Sequence, residues 1–155
     1  MEARFYNVDV NWENSRKTML CLPELNKDNS LCIEAATPSE FSKGIAGNWS
    51  PEHLFVAAIS SCLMNTFLAN AENSTLHFES FSCEAKGKLE IVDGKLMISE
   101  VLLKPVVVIH NEQYAHKVIR ILKKAEDACL ISHSIKSKVR MEIDIQVKPI
   151  LIDSE

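Results

Sequence analysis

The feature that most constrains this chain is an apolar helix in its first half. Ser50, Pro51 and Glu52 form a strong helix start: serine caps free amides, proline has no amide to leave unpaired, and glutamate suits the positive end of the helix dipole. From there to about Ala71 the residues are apolar on nearly every side, and no charged residue intervenes before Glu72. Such a helix is expected to be buried. A chain of 155 residues has little sheet and helix surface with which to cover such a helix on all sides. We therefore expect an intimate homodimer in which a partner subunit covers part of the helix.

Alternating apolar and polar residues predict the strands on either side of this helix. The stretches 6–12, 17–22 and 31–35 predict an antiparallel meander with a polar loop at 26–30, and residues 37–49 are interpreted as a structured loop. After the helix, a hairpin is predicted from the alternation at 81–91, the turn at 92–95 and the long strand 96–109.

The C-terminal third predicts a second helix and a last strand. Asn111 can cap an amphipathic helix, and residues 139–147 alternate as a half-exposed strand. The order is therefore three strands, a helix, two strands, a helix and a strand. The class is α+β, with one domain over residues 1–155.

Composition excludes several kinds of protein. Charged residues at 25% with a formal net charge of -4 argue against a nucleic-acid binder. The longest strongly apolar stretches, 54–64 and 101–109, are too short or too interrupted to span the roughly 20 residues of a bilayer, which predicts no membrane segment. The first residues lack a signal-peptide core and the cysteine count is an odd five. We therefore expect a cytoplasmic protein with reduced thiols and no disulfide scaffold.

The cysteines are the candidates for chemistry, because the sequence has no spacing typical of a metal site, a phosphate loop or a serine nucleophile. Three of them, Cys21, Cys32 and Cys83, lie in predicted strands and are expected to be inert. Cys62 and Cys129 lie on the two helices, and their sulfurs could meet if those helices pack together. Burial raises a thiol pKa, so a reactive Cys62 needs a nearby cation.

Two segments resemble motifs of one protein family. Residues 48–62, NWSPEHLFVAAISSC, resemble the Pro-Glu-x-Leu and cysteine motif of the OsmC/Ohr (osmotically inducible protein C and organic hydroperoxide resistance) family. Residues 125–134, AEDACLISHS, are similar to its second-helix Cys-Pro-x-Ser motif. The order of elements matches along essentially the whole chain. The resemblance implies an OsmC-like fold and an intertwined homodimer with active sites at the subunit boundary.

The resemblance also implies a peroxidase with peroxiredoxin-like activity. Cys62 would attack an organic hydroperoxide to give an alcohol and a sulfenic acid, and Cys129 would condense with it to a disulfide. A dithiol reductant, lipoyl groups in the best-known members, would recycle the pair. No metal, haem or flavin cofactor is implied.

The family's remaining catalytic groups are a glutamate and an arginine that lowers the thiol pKa. Glu52 matches the glutamate, and the arginine corresponds to Arg16, or to Lys17 if the alignment slips. Glu52 and Cys62 are ten residues apart on one helix, about 15 Å along its axis, so one arginine would struggle to contact both within one chain. A site built by two subunits removes that difficulty.

This sequence departs from the family pattern at Leu130, which replaces the motif's proline and suggests a slower resolving step. Four apolar residues are candidates to line a pocket for an alkyl or fatty-acid hydroperoxide, although each is also a plausible core residue: Trp49, Phe55, Met64 and Phe67.

Two other functions remain open. One is a non-enzymatic dimer that binds a small apolar ligand or acts as a stress-related protein, and it predicts an ordinary thiol pKa near roughly 8.5 at Cys62. The other is a thiol redox sensor, which would oxidise at the same cysteines but turn over poorly and require a protein partner.

Overall fold

A computed structural model describes residues 2–23 and 31–148. The chain forms two compact units, Met1–Leu54 and Phe55–Glu155. The polar loop predicted at 26–30 lies outside the described residues. The prediction of a single domain over 1–155 stays a prediction.

The first unit contains the predicted antiparallel meander. Its strands are β1 (Asp9–Asn14), β2 (Lys17–Cys21) and β3 (Cys32–Ala36), in that order across the sheet. Strand β1 begins at Asp9, opposite Cys21, and not at Tyr6 as predicted. The partner strand β2 ends at Cys21, shortly before Pro23. Residues 6–8 therefore have no residues of β2 opposite them to pair with.

The prediction that the chain has no structural disulfide is wrong for Cys21 and Cys32, which are joined. The register places them directly opposite each other, with their Cα atoms 4.2 Å apart. The physical reason is this cross-strand proximity, which is not evident from the sequence because the two cysteines are 11 positions apart.

The second unit is built on a long hairpin. Strands β4 (Ser80–Val92) and β5 (Lys95–Ile109) pair antiparallel, and the turn between them has positive φ angles of 49° at Asp93 and 75° at Gly94. The predicted last strand is two short strands, β6 (Lys138–Met141) and β7 (Asp144–Val147), which both pair parallel with β5. The amide of Glu142, between them, donates to the Leu103 carbonyl at 2.8 Å.

Three α-helices accompany these strands in the part of the chain that the structure describes. Helix α1 spans Pro51–Asn73, α2 spans Ala115–Asp127 and the short α3 spans Leu130–His133. As predicted, Asn111 caps the helical segment that precedes α2, because its side chain accepts from the Gln113 amide at 3.0 Å. The mixed α+β architecture and the predicted order of elements are confirmed, apart from the split last strand and the added α3.

Within a single chain helix α1 is fully buried along one side only, so the predicted burial of the whole helix, which includes cover from a partner subunit, stays a prediction. Its fully buried residues form one stripe at four-residue spacing: Ile59, Leu63, Phe67 and Ala71. This stripe belongs to the core of the second unit, with residues of β5 and α2 such as Leu103 and Leu122. The reason is geometric, because a helix packed on one layer of structure buries only the side facing that layer.

Helix α1 has 23 residues, and its most apolar 18-residue window has a mean hydropathy of 1.6. It therefore meets the length and composition expected of a membrane-spanning helix. A core helix of a soluble protein meets the same criteria, and the buried stripe of α1 packs in the core of the second unit.

Close packing of α1 against β4 makes Gly87 sensitive to substitution. A Cβ atom at this position would lie 2.7 Å from a Val56 methyl group. Changing Gly87→Ala is therefore expected to lower the free energy of unfolding by about 1–3 kcal/mol. Urea unfolding of Gly94→Ala separates steric overlap from backbone strain as the cause of destabilisation. Gly94 has a positive φ and no atom near an added Cβ, whereas Gly87 has a close neighbour. Unchanged stability of Gly87→Ala would contradict this packing.

Candidate active site

The central feature of the site is a contact between two free thiols. Cys62 lies near the middle of α1, and Cys129 immediately precedes α3, which places both in the second unit. The two thiols lie close enough for each to act directly on the pKa of the other. This agrees with the prediction that the two sulfurs could meet. They differ in access, because Cys62 is half-buried whereas Cys129 is only 1% exposed.

Within the described chain, Cys62 is the less acidic of the two thiols. Burial raises its pKa, and the hydrogen bond with Cys129 raises it further. The Ile131 backbone and the Thr66 side chain oppose this effect without reversing it. No cation is among the groups of the described residues that act on Cys62. A thiolate at Cys62 therefore needs a positive charge from elsewhere.

Cys129 shows the opposite balance. Burial would raise its pKa, but hydrogen bonds lower it overall, the largest from Cys62 and the others from Ser132 and the Ile131 backbone. Ser132 and Ile131 belong to α3, which starts at the residue after Cys129. Cys129 is therefore the more acidic of the two thiols in the described chain.

A second candidate region lies within the first unit. Arg16 and Glu52 line one cavity of about 310 Å³, together with residues that include Thr18, Pro38 and Phe41. Glu52 sits in the first turn of α1, where the Ser50 hydroxyl caps the His53 amide at 3.3 Å. Its Oε2 atom is buried and has no hydrogen-bond partner among the described residues. Glu52 therefore lines a cavity together with an arginine and has one buried carboxylate oxygen whose hydrogen-bonding capacity is unused among the described residues.

The structure distinguishes Arg16 from Lys17. The ammonium of Lys17 lies 2.8 Å from a Glu34 oxygen, and the Asn48 amide donates to the same oxygen at 2.7 Å. Lys17 holds the pKa of Glu34 below its ordinary value through this hydrogen bond. Lys17 is thus engaged with Glu34, whereas Arg16 lines the cavity of Glu52.

A two-turn loop forms one wall of this cavity. The Phe41 amide donates to the Pro38 carbonyl at 3.1 Å, the Gly44 amide donates to Phe41 at 2.9 Å, and the Ile45 amide donates to Thr37 at 2.9 Å. A Cβ atom on Gly44 would lie 1.8 Å from the Pro38 oxygen. The predicted structured loop at 37–49 therefore depends on a glycine at position 44.

Substituting Gly44→Ala should distort this wall. Because the clash is with backbone, the turn at 38–44 must open, and we expect a loss of about 1–3 kcal/mol in the free energy of unfolding. Hydrogen exchange of the Gly44 and Ile45 amides should accelerate. Gly47→Ala is the comparison: its added Cβ would have no atom within 4 Å, so any loss of stability there comes from its positive φ of 82° and should leave the Gly44 and Ile45 amides protected. Unchanged protection of these amides in Gly44→Ala would contradict the described turn.

The four predicted pocket residues separate into different environments. Phe67 is 0% exposed and packs against Phe78 and Phe81, with ring centroids 5.4 and 5.0 Å away, so its assignment to a substrate pocket is wrong within this chain. Its place in the stripe of α1 that faces the core is the reason. Phe55 also packs against the core. Trp49 is half exposed and lines a cavity of about 270 Å³ with Gly47, Asn48 and His53, while Met64 is half-buried on α1.

Sequence reasoning missed some groups that act on the thiols. Thr66 follows Cys62 by one helical turn, and Ser132 belongs to the motif-like segment at 125–134, so both signals were present in the sequence. The Ile131 backbone has no such signal, because any residue supplies an amide. His133, the histidine nearest to Cys129 in sequence, is not among the groups that act on either thiol.

The chain belongs to the OsmC-like protein family, whose family model matches residues 44–144. That range contains Glu52, Cys62 and Cys129, and it begins after Arg16. The resemblance to the OsmC/Ohr family is therefore confirmed.

Similar proteins extend the match over nearly the whole chain. The uncharacterized protein YmaD of Bacillus subtilis is 24% identical over 151 residues, covering 96% of this chain and 97% of YmaD. An OsmC-like protein of unknown function from Vibrio cholerae shares 25% identity and a TM-score of 0.79, over 91% of this chain and 99% of that one. A Legionella pneumophila organic hydroperoxide resistance protein OsmC has a TM-score of 0.67 at 21% identity, over 94% of this chain and 100% of that one. The OsmC-like fold is thus shown, and proteins named for hydroperoxide resistance share it.

Proposed function

We propose that this protein is a thiol-dependent peroxidase that reduces organic hydroperoxides to alcohols. The observation that carries the proposal is the proximity of Cys62 and Cys129, whose thiols act on each other's pKa, since two neighbouring thiols can be oxidised to a disulfide. Membership in the OsmC-like family and structural neighbours named for hydroperoxide resistance support it.

The proposed reaction has three balanced steps. The Cys62 thiolate attacks the terminal oxygen of the hydroperoxide, the O–O bond breaks, and the alkoxide leaves as an alcohol after taking a proton. The Cys129 thiolate then attacks the sulfur of the Cys62 sulfenic acid, the S–O bond breaks, and the hydroxide leaves as water after taking a proton, which forms the disulfide. A dithiol finally reduces the disulfide by thiol exchange and is itself oxidised.

The difference in access between the two cysteines assigns their roles. Cys62 is half-buried and can meet an external peroxide, whereas Cys129 is buried and its acidic thiol suits the attack on a neighbouring sulfenic acid. Peroxide reactivity at Cys62 requires a cation, because burial and Cys129 raise its pKa in the described chain. We assign this role to Arg16 of a second copy of the chain, with Glu52 pairing the guanidinium.

A homodimer is part of the same proposal. Helix α1 carries exposed apolar residues such as Leu68, and all six residues of strand β1 are exposed, including Val10 and Trp12. Exposed apolar surface of this kind is typical of an interaction surface. A second copy of the chain would cover part of it.

Steady-state turnover tests the reaction and the reductant together. Purified protein should consume cumene hydroperoxide with dihydrolipoamide or dithiothreitol as the electron donor, faster than it consumes hydrogen peroxide. Absence of turnover with both dithiols, in protein whose Cys62 and Cys129 are verified as reduced at the start, would contradict the peroxidase.

The raised pKa of Cys62 favours a second candidate, a non-enzymatic dimer that binds a small apolar ligand. The pH dependence of Cys62 alkylation separates the two candidates. A pKa well below the free value of roughly 8.5 supports the peroxidase, and a value at or above it supports the binding protein.

A further inference from the structure

We propose that Arg120 and Lys124 of α2 form an anion subsite, which holds the negatively charged end of an elongated hydroperoxide while its O–O bond lies at Cys62. The substrate class is a hydroperoxide on an apolar chain that ends in a carboxylate. This inference rests on the proposed function, because the peroxidase supplies the reaction at Cys62. It adds a preference for charged over neutral substrates, which the two thiols alone do not provide.

A cavity of about 360 Å³ lies between the last turn of α1 and the middle of α2. Its lining residues come from both helices and are mostly polar: Asn70, Asn73, Ser74, Arg120, Ile121 and Lys124. The lining contains two cations and no acidic residue. Guanidinium and ammonium groups donate their strongest hydrogen bonds to carboxylates and phosphates, and asparagine amides add further donors. The cavity is therefore suited to an oxyanion.

The charges of this cavity are not used within the chain. The side chains of Arg120 and Lys124 form no ion pair or hydrogen bond with another described residue. They lie four positions apart on one helix, so two like charges are neighbours and repel each other. Lys117 shows the contrast, because its ammonium donates to the Ser74 carbonyl at 2.6 Å and matches the negative end of α1. Arg120 and Lys124 are thus the cations available to a ligand.

The cavity lies on the side of α1 that carries Cys62. Asn70 and Asn73 follow Cys62 by eight and eleven positions. At about 100° per residue, they lie about 80° and 20° from Cys62 around the helix, and about 12 and 17 Å from it along the axis. Helix α2 runs beside this side of α1, since Lys117 contacts Ser74 and Cys129, beyond the other end of α2, acts on Cys62. The boundary between the two helices therefore leads from the thiols to the cavity.

The anion subsite is compatible with the proposed homodimer. Leu68 is the exposed apolar residue of α1 that a second copy of the chain would cover. It lies about 160° from Asn70 and about 140° from Asn73 around the helix. The wall of the cavity opposite α1 is formed by α2 of the same chain.

The distance between the thiol and the cavity sets the length of the substrate. An extended chain of about ten bonds spans about 12 Å, at roughly 1.2 Å per bond. Hydroperoxides form on unsaturated acyl chains, and a free acyl chain ends in a carboxylate. A fatty-acid hydroperoxide of this length can therefore place its O–O bond at Cys62 and its carboxylate at Arg120.

The bond changes are those of the proposed peroxidase. The Cys62 thiolate takes the terminal oxygen, the O–O bond breaks, and the alkoxide takes a proton to give a hydroxy acid. The carboxylate forms and breaks no bond. Arg120 and Lys124 are therefore specificity-determining residues that act on substrate binding.

The test compares linoleic acid hydroperoxide with its methyl ester, which has the same chain and no charge. The ratio of kcat/KM for the acid to kcat/KM for the ester is measured with excess dithiothreitol, so the ester corrects for any general loss of activity. We expect this ratio to fall at least about tenfold in Arg120→Gln/Lys124→Gln, and to fall in the wild type as salt is raised. The control Lys123→Gln/Lys136→Gln removes two charges at exposed positions outside the cavity and should keep the ratio within about twofold.

Binding provides a readout that needs no turnover. Linoleic acid, below its micelle-forming concentration, is titrated into the reduced protein while backbone amide NMR signals are followed. We expect signals of residues 120–124 to shift in the wild type, and the affinity of the Arg120→Gln/Lys124→Gln variant to be at least about tenfold weaker.

An acid-to-ester ratio that is equal in the wild type and in Arg120→Gln/Lys124→Gln would overturn the inference, and so would equal affinities for linoleic acid. Failure of the proposed function has a different signature, because a wild type that turns over neither hydroperoxide nor cumene hydroperoxide is not a peroxidase. The titration then decides the anion subsite by itself.

Discussion

Replacing Cys62→Ser is expected to lower turnover of cumene hydroperoxide by at least about a thousandfold, because a serine hydroxyl is a far weaker nucleophile than a thiolate and cannot form a sulfenic acid. The measurement is kcat/KM with a dithiol reductant in excess. Cys83→Ser is the matched control, since Cys83 lies in β4 and burial raises the pKa of its thiol. This control should keep its activity within about twofold.

The Cys129→Ser variant separates the two thiol roles. It should still be oxidised once by cumene hydroperoxide, but the product is a sulfenic acid at Cys62 that dimedone traps. Its steady-state turnover should fall because the disulfide cannot form. Turnover that survives in Cys62→Ser and is lost in Cys129→Ser would assign the peroxide-reacting role to Cys129, the more acidic thiol in the described chain.

Removing the Arg16 guanidinium should produce the second largest effect. An opposite charge beside a thiol lowers its pKa by about 1–3 units, so Arg16→Ala should raise the pKa of Cys62. At neutral pH the thiolate fraction falls by the corresponding factor, and we expect peroxide oxidation to slow by about 10–1000-fold. Raising the pH should restore part of the rate, because more Cys62 then loses its proton.

The experiment compares Arg16→Ala with Lys17→Ala over a range of pH. Both changes remove one positive charge at adjacent positions, but Lys17 pairs with Glu34 whereas Arg16 lines the cavity of Glu52. The pH profile of Cys62 oxidation should move upward for Arg16→Ala only. Equal profiles for the wild type and Arg16→Ala, or a shift confined to Lys17→Ala, would contradict the assignment of Arg16.

Much of the fold could be predicted because local signals agree with it. The Ser50-Pro51-Glu52 start fixes the beginning of α1, and the Asp93-Gly94 turn fixes the hairpin of β4 and β5. The split of the last strand was not predictable from alternation, which continues through residues 139–147. Strand β6 pairs with residues 100–103 of β5 and β7 pairs with residues 106–109, so the break between the two strands follows the ladder on β5. Alternation along the sequence does not report this pairing.

Burial was predicted less well than secondary structure. Composition shows that α1 is apolar all round, but it does not show how many layers cover it. Among the residues of α1, only the stripe containing Ile59 and Phe67 is fully buried within one chain. For the same reason the sequence did not separate Phe67, a core residue, from Trp49, which lines a surface cavity.

The cysteines show both the reach and the limit of sequence reasoning. The contact of Cys62 with Cys129 followed from two helices with suitably placed thiols. The pairing of Cys21 with Cys32 depends on the register of β2 against β3, and an odd cysteine count does not exclude one bonded pair. The acidity of Cys129 depends on the donors of α3, an element that the sequence did not predict.

The most direct test of the peroxidase is to map all five cysteines after one equivalent of cumene hydroperoxide, with hydrogen peroxide as the comparison. The protein is first reduced and freed of reductant, and reaction times are resolved by acid quench and differential alkylation. The account predicts a rapid Cys62–Cys129 disulfide that forms faster with the organic peroxide, while Cys83 stays reduced. Unmodified Cys62 and Cys129, or oxidation spread evenly over all five cysteines, would contradict it.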